Sequence, residues 1–457
     1  METKGVKLLQ GDPKRAIVKL SIPMIFAMLV QTMYNLVDGI WVAGLGPAAL
    51  AAIGAFFPIF MIIISLASGL GVGASSVIAR KIGERNKHEA DKAAVNSLAI
   101  AVIFGITFMI VSLALIKPVL EVLGISKKVL DETLKYSYII IFSIPLLMFN
   151  NVSNGILRGE GDAKKAMYAI SIGSILNIFL DPLFIYTFKL GIKGAAYATV
   201  FSILVSAILI VFWLFIKKDT YVSIHIKGMK LEAKIINDIL RVGIPSSIAQ
   251  IAMSAAMFVL NVFAVKAGKD LGIAVFTSAW RIINFGTVPL IGIATAVTSV
   301  TGAAFGQRDA KKLKTAYLYA IRFGEIISLI VMSSILIFAN YIAKAFTYSE
   351  NGAQIYSELV NALRILSLFL PGVPFGMFTS SMFQGTGYGI RSMIVSINRT
   401  IIMQVLFSYL YVFVFNIGLN GVWWGIVTGN AISAAITFTW GIFTVKSIDR
   451  KFFYQNR

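Results

Sequence analysis

The sequence predicts an all-α polytopic membrane protein, with twelve transmembrane helices in two six-helix bundles. Three observations carry that prediction: a chain too apolar for water, apolar runs of membrane-spanning length, and an internal repeat. Of 457 residues, 58% are hydrophobic and 14% charged, against roughly 25% charged in soluble domains. Mean hydropathy is +0.82. A span needs about 20 mostly apolar residues, and several runs here exceed that.

The pattern places helices at 17–43, 50–79, 93–116, 134–156, 166–188, 194–216, 239–265, 272–303, 315–340, 357–383, 392–416 and 420–445. Several hold Gly or Pro, which membrane helices tolerate. Segments on the side of the N-terminus carry 26 of the 41 Lys and Arg residues, and those on the other side carry 8. The positive-inside bias therefore puts both termini in the cytoplasm of a cell-membrane protein. It also accounts for most of the net charge of +20, since basic loops lie against an anionic leaflet. Nucleic acid is not expected as a partner.

Cysteine is absent, which excludes disulfides, thiolate metal sites and cysteine nucleophiles. The two histidines, His88 and His225, lie in polar stretches, so a His-based metal site or a serine–histidine triad is not expected. The polar opening METKGVKLLQGDPKRAIVKL reads as a lead-in, not a signal peptide. No ATP-binding motif accompanies the spans, and no cofactor is expected.

The two halves echo each other. LSIPMIFA (20–27) resembles VGIPSSIA (242–249), and ARKIGERNKHEADKA (79–93) resembles GAAFGQRDAKKLKTA (302–316). ILRGEGDAKKAM (156–167) resembles MFQGTGYGIRSM (382–393), and LGIKGAAYA (190–198) resembles IGLNGVWWG (417–425). The offset drifts only from 222 to 227. Six helices per half is an even number, so both halves enter from the same side. The repeats are then related by a pseudo-two-fold axis along the membrane normal. The expected division is an N-terminal bundle at 1–216, a cytoplasmic linker at 217–238 and a C-terminal bundle at 239–457. Two facing bundles that can rock about a central site favour a transporter over a channel.

The near-N-terminal IP, the run YNLVDGIWVAGLGPAALAAIG, the loop IARKIGERN, ILRGEGDAKKAM and NIFLDPLFIY stand in an order that resembles the multidrug and toxic compound extrusion (MATE) family. The likeness is greatest to its DinF-like branch and the archaeal members, and covers about residues 12–446. It implies a V-shaped pair of bundles, no enzymatic activity, and export of amphipathic, often cationic, drugs driven by inward sodium or proton flow. A monomer is expected.

Asp38 and Asp181 lie deep in apolar spans without an adjacent basic residue. An Asp at a helix centre costs about 2.5–3.5 kcal/mol on the insertion scale, and such a cost marks an ion or substrate path. Glu325 also falls in a span, but Arg322 one turn away predicts a local ion pair. At about 1.5 Å per residue, Asp38, Asp181 and Thr199 lie at about one level, with Asn177 one turn below Asp181. Two carboxylates, an amide oxygen and a hydroxyl are hard ligands that suit Na+, and the carboxylate pair also suits a proton. These four positions match the cation-site residues that the resemblance implies. Gln31 and Tyr34 extend the stripe of Asp38, and Ser174 that of Asn177 and Asp181. With Asn154, Asn177 and Thr199 they are the expected substrate contacts. Pro23 is the expected hinge of helix 1. Aligned on the repeats, Asp38 falls opposite Leu260 and Asp181 opposite Ser408, which predicts coupling in the N-terminal half alone. Arg281, Arg364 and Arg399 in the second half leave one alternative open, a flippase for lipids or lipid-linked oligosaccharides.

Overall fold

The computed structural model describes residues 3–225, 230–348 and 350–455. A short helix α1 (Lys4–Gln10) precedes α2 (Pro13–Ala43). Asp12 caps α2 by accepting from the amides of Lys14 and Arg15, and Pro13 takes the first turn, where its missing amide costs nothing. Next come α3 (Pro47–Gly83) and α4 (Lys87–Val122). α5 (Lys127–Phe142) and α6 (Ile144–Gly159) form one span bent by 49°. Pro145 explains the bend, because it offers no amide to the Ile141 carbonyl. Its backbone lies on Gly105 of α4, where a Cβ would meet the Pro145 Cα at 2.6 Å.

α7 (Ala163–Pro182) continues through a π turn to Thr187, and α8 (Ile192–Val211) through another to Lys217. α9 (Ala233–Gly306) is 74 residues long, but Lys269 at φ 53 breaks it into arms 233–268 and 270–306. Then follow α10 (Ala310–Phe346), the single turn α11 (Glu350–Ala353), α12 (Tyr356–Ser367) and α13 (Val373–Gly385). A 3-10 turn with Pro371 joins the last two, and Asn430 Nδ2 donates to the Phe369 carbonyl beside it at 2.9 Å. α14 (Gly389–Ile397) and α15 (Leu406–Tyr409) run in line through π segments, and α16 (Leu419–Gln455) ends the described chain.

Among the described residues, ten helical stretches are long and apolar enough to cross a membrane, α12–α13 and α14–α15 counting as one each, and the bent α5–α6 pair makes an eleventh. The break at Lys269 gives the twelfth. The protein is thus a multi-pass membrane protein with the expected span count. Its helices outrun the expected spans: α3 reaches Gly83, and α4 runs from Lys87 to Val122. Hydropathy reports where lipid ends, whereas a cap decides where a helix ends. Here Asn86 Oδ1 accepts from the Glu89 amide at 3.1 Å.

The duplication is written in the backbone. Arg85 and Arg308 both adopt φ 56, Gly161 and Gly387 φ 81 and 83, and Lys189 and Asn416 φ 55 and 53. A left-handed conformation costs a non-glycine residue roughly 1–2 kcal/mol, so its recurrence at repeat positions reflects a shared ancestral turn.

We call the face that carries both termini proximal and the opposite face distal. Lipid gives helices no hydrophobic reason to associate, so small residues that admit close backbones carry the packing. Gly71 of α3 and Gly155 of α6 meet backbone to backbone. Between the halves, Gly69 and Gly73 of α3 lie on the first arm of α9, and Gly83 lies on Ala303 of the second. Gly292 of that arm receives Ile25 of α2. Among the described residues, the hydrogen bonds across this seam join Ser75 to Ser299, Ser76 to the carbonyls of Gln384 and Gly385, Gln250 to Ser68, and Lys312 to the Gln10 carbonyl. All lie on the proximal half of the helices.

Candidate cation and substrate site

The site lies distal to that seam, inside the N-terminal half, between α2, α7 and α8. α2 packs along α7, and its distal end is fixed above the site. The Tyr186 hydroxyl donates to the Trp41 carbonyl at 2.5 Å, and the two rings meet edge to face at 6.2 Å. A small apolar cluster of Val42, Ala49, Ala52, Ile185, Ile192 and Ala195 closes the same end.

Asp38 of α2 and Asp181 of α7 stand within hydrogen-bonding reach of each other. Asp181 is fully buried. Its Oδ2 accepts from Asn177 Nδ2 at 2.8 Å, while Asn177 Oδ1 accepts from the Thr199 amide at 3.2 Å, with the amide oriented by these partners. Asp181 Oδ1 is buried and has no donor. The Tyr34 hydroxyl faces Thr199 Oγ1, which itself donates to the Ala195 carbonyl at 3.0 Å. All four expected cation-site residues and Tyr34 therefore converge.

An orphaned carboxylate oxygen beside a second carboxyl group is a test of fit. A proton shared between the two carboxyls satisfies it, and so does a small hard cation. With two carboxyl groups, an amide and a hydroxyl at hand, both options are chemically sound. Among the described residues, no group of three or more His, Cys, Asp or Glu residues gathers as a metal cluster.

A family model described as MatE matches residues 23–183 and 245–410. The chain belongs to the MatE family. The two matched blocks begin at the same offset as the LSIP and VGIP repeats, so the MatE unit is the repeat itself. The multidrug export protein MepA of Staphylococcus aureus (strain NCTC 8325 / PS 47) is 25% identical over 92% of this chain and 91% of its own. Among solved structures, one similar chain is a multidrug resistance MATE family transporter of the MOP superfamily in an outward-facing conformation, 53% identical with a TM-score of 0.96 over 98% of this chain and 100% of that one. Another is a MOP superfamily transporter from Pyrococcus furiosus Vc1 (DSM3638), whose binding pocket of reverse polarity was read as suggesting a different function. It is 53% identical with a TM-score of 0.95 over 98% and 99%.

The remaining expected residues stand around or apart from this cluster. Asn154 sits apart from the carboxyl pair, near the proximal end of α6. Its Nδ2 donates to Asn150 at 2.9 and 3.1 Å, and Asn150 in turn bonds Ile203 and Ser206. That network ties α6 to α8. Ser174 is buried on α7, one turn from Asn177, and Gln31 is exposed on α2. The expected Arg322–Glu325 pair does not form: no ion pair joins them, Arg322 is exposed, and Glu325 Oε2 is buried without a partner. Spacing on a helix allows a pair but does not require one. Sequence reasoning missed Tyr136 of α5, which stands near Asp38, Tyr34 and Asp181 and packs edge to face on Phe56 at 5.8 Å. Its signal was a tyrosine one turn from Thr133 in a half-polar stretch.

Proposed function

We propose that this chain is a multidrug efflux antiporter. It exports amphipathic, often cationic, organic compounds, and inward flow of Na+ or H+ through the Asp38–Asp181 pair drives it. MatE membership and the naming of MepA as a multidrug export protein support the transport class. It resides in the plasma membrane; the Lys and Arg bias supports cytoplasmic termini, an orientation that turns the proximal seam to the cell interior and the site outward. It works as a monomer, with the lipid bilayer as its surroundings and no resident cofactor.

The observation that carries the coupling is the orphaned Asp181 Oδ1 beside Asp38. Emptied of ion and proton, the two carboxylates repel at close range. Loading them removes that repulsion and pulls α2 towards α7. Tyr34, Asn177 and Thr199 belong both to the ligand set and to the wall a drug would touch, with Gln31, Ser174 and Tyr136 extending that wall. Filling the pair therefore competes with the drug. Pro23 lies buried within the uninterrupted α2, and the carbonyl it leaves free, on Lys19, marks where α2 bends as the pair fills.

The test is export from proteoliposomes with Na+ and H+ gradients imposed separately. Asp38→Asn and Asp181→Asn should each abolish gradient-driven export without loss of expression. Export that survives both changes would refute the coupling site. No flux under a Na+ gradient alone would leave the proton form.

A second reading, movement of an anionic lipid or lipid-linked oligosaccharide, has one observation in its favour. Arg399 lies inside a span of the C-terminal half with Nε and Nη1 buried and unpaired. Arg281 is exposed, and Arg364 donates to Asn340 at 3.5 Å. A lipid-scrambling assay with Arg399→Gln separates this reading from drug export.

A further inference from the structure

At one repeat position the two halves differ by a charge. Arg158 stands in the last turn of α6, within ILRGEG, and Gln384 in the last turn of α13, at the matching place in MFQGTG. Gln384 is well bonded. Its Nε2 donates to Ser246 and Ser392 at 2.9 and 3.1 Å, and its Oε1 accepts from Thr298 at 3.4 Å. A neutral polar side chain therefore satisfies this corner of the scaffold. Arg158 has no hydrogen bond or ion pair among the described residues. The two acids after it are engaged elsewhere: Glu160 accepts from the Tyr221 and Val222 amides, and Asp162 pairs with Lys165 at 3.0 Å. Arg158 faces a small cavity walled by both halves: Leu20 and Met24 of α2, Ala163 of α7, and Thr295, Ala296 and Ser299 of the second arm of α9. The hydroxyls there donate elsewhere, Thr295 to the Gly292 carbonyl at 2.8 Å and Ser299 to the Thr295 carbonyl at 3.4 Å. They leave no neutral donor to help hold a counter-anion. Met24 precedes Asp38 by 14 residues on α2, and Ala163 precedes Asp181 by 18 on α7. At about 1.5 Å per residue, the cavity lies roughly 21–27 Å proximal of the carboxyl pair.

We propose that Arg158 is a fixed positive guard that bars cations from crossing the shut proximal seam. This rests on the antiport reading above, because exchange requires that Na+ or H+ enters the cell only when the halves move. Close-packed glycines stop a drug by shape. A small cation or a hydrated proton needs less room, and charge stops it more surely. A positive group set in a low-dielectric wall repels a cation at a distance, and an arginine in the path excludes cations from water-conducting pores in the same way. Holding a guanidinium in the seam without a partner is unfavourable, and the Gln384 half shows that the fold does not ask for it. The charge also stands in the half that carries the carboxyl pair. The half with Leu260 and Ser408 in place of Asp38 and Asp181 has no such cation at this position.

Ion leak through the full chain in proteoliposomes tests this, measured without drug under an imposed membrane potential, with radioactive sodium and a pH-sensitive dye as readouts. Arg158→Gln copies the residue of the other half and should raise the cation leak about tenfold or more, with chloride leak unchanged. Arg158→Lys keeps the charge and should leak no more than the wild type. Thr295→Asp sets a carboxylate in the same cavity as an unaltered Arg158 and should leak as Arg158→Gln does. It decides the matter where a lowered thermal midpoint shows that Arg158→Gln folds poorly. A packing function predicts a different pattern, in which Lys leaks as Gln does and chloride passes as well. Cation leak equal to wild type in Arg158→Gln and Thr295→Asp, or an equal rise in Arg158→Lys, would overturn the guard. Gradient-driven export by the wild type, measured in the same vesicles after drug is added, judges the antiport reading separately.

Discussion

At the scale of single residues, the chain puts its expensive groups where they meet. Asp38 and Asp181 are legible in sequence because an acid in an apolar span has no cheap explanation. Depth counting then brings Thr199 and Asn177 to them, since helix rise is nearly constant. Asn154 and Glu325 show the limit of that reasoning. A face and a depth do not say which neighbouring helix stands opposite. Asn154 bonds Asn150, which in turn reaches α8, and among the described residues Glu325 has no ion-pair partner although Arg322 is one turn away. Tyr136 had only a weak signal for the same reason, because packing of α5 against α3 through Phe56 is what aims it at the pair. Asn177 offers a sharper test than the acids. Asn177→Ala removes the donor to Asp181 Oδ2 and the acceptor for the Thr199 amide. We expect about tenfold or greater loss of apparent coupling-ion affinity, equivalent to about 1.4 kcal/mol, with drug export retained at saturating ion. Unchanged ion dependence of export would show that Asn177 does not shape the pair.

At the scale of elements, proline and glycine act in pairs. Pro145 bends the α5–α6 span, and Gly105 of α4 leaves the room that the bend needs. The bend was not legible, since other prolines in the spans sit inside unbroken helices, including Pro23 in α2. Only the partner glycine, 40 positions earlier in sequence, distinguishes them. Gly105→Leu should therefore destabilise the protein by about 1–3 kcal/mol through overpacking, measured as a lowered thermal midpoint in detergent. A midpoint equal to wild type would show that α4 can yield. Pro23→Ala has the opposite character. It restores an amide to the Lys19 carbonyl, so stability should hold or rise while transport falls, and full transport by that variant would remove the hinge from the mechanism.

At the scale of the whole molecule, the duplication could be read from the sequence and the conformation could not. The matched left-handed turns show how faithfully each half repeats the other, yet Asp38 and Asp181 have no acidic counterparts at Leu260 and Ser408. The C-terminal half keeps the scaffold and uses Ser408 to bond the Val422 carbonyl. Which face of the cleft is shut depends on small differences between two packings of the same seam, and no motif encodes a difference of that kind. Here the shut face is proximal, zipped by glycine contacts and by Ser75 against Ser299 at 3.3 Å. If transport requires that seam to part, joining those two residues covalently must stop it. The chain has no cysteine of its own, so Ser75→Cys with Ser299→Cys gives a clean pair. Their hydroxyl oxygens need to approach by only about 1 Å to reach disulfide length. Oxidation should arrest export in proteoliposomes and reduction should restore it, while each single variant exports normally under both conditions. Export that continues with the bond formed, verified by loss of free thiol, would mean that the halves do not separate there, and that the cleft opens by deformation within one half.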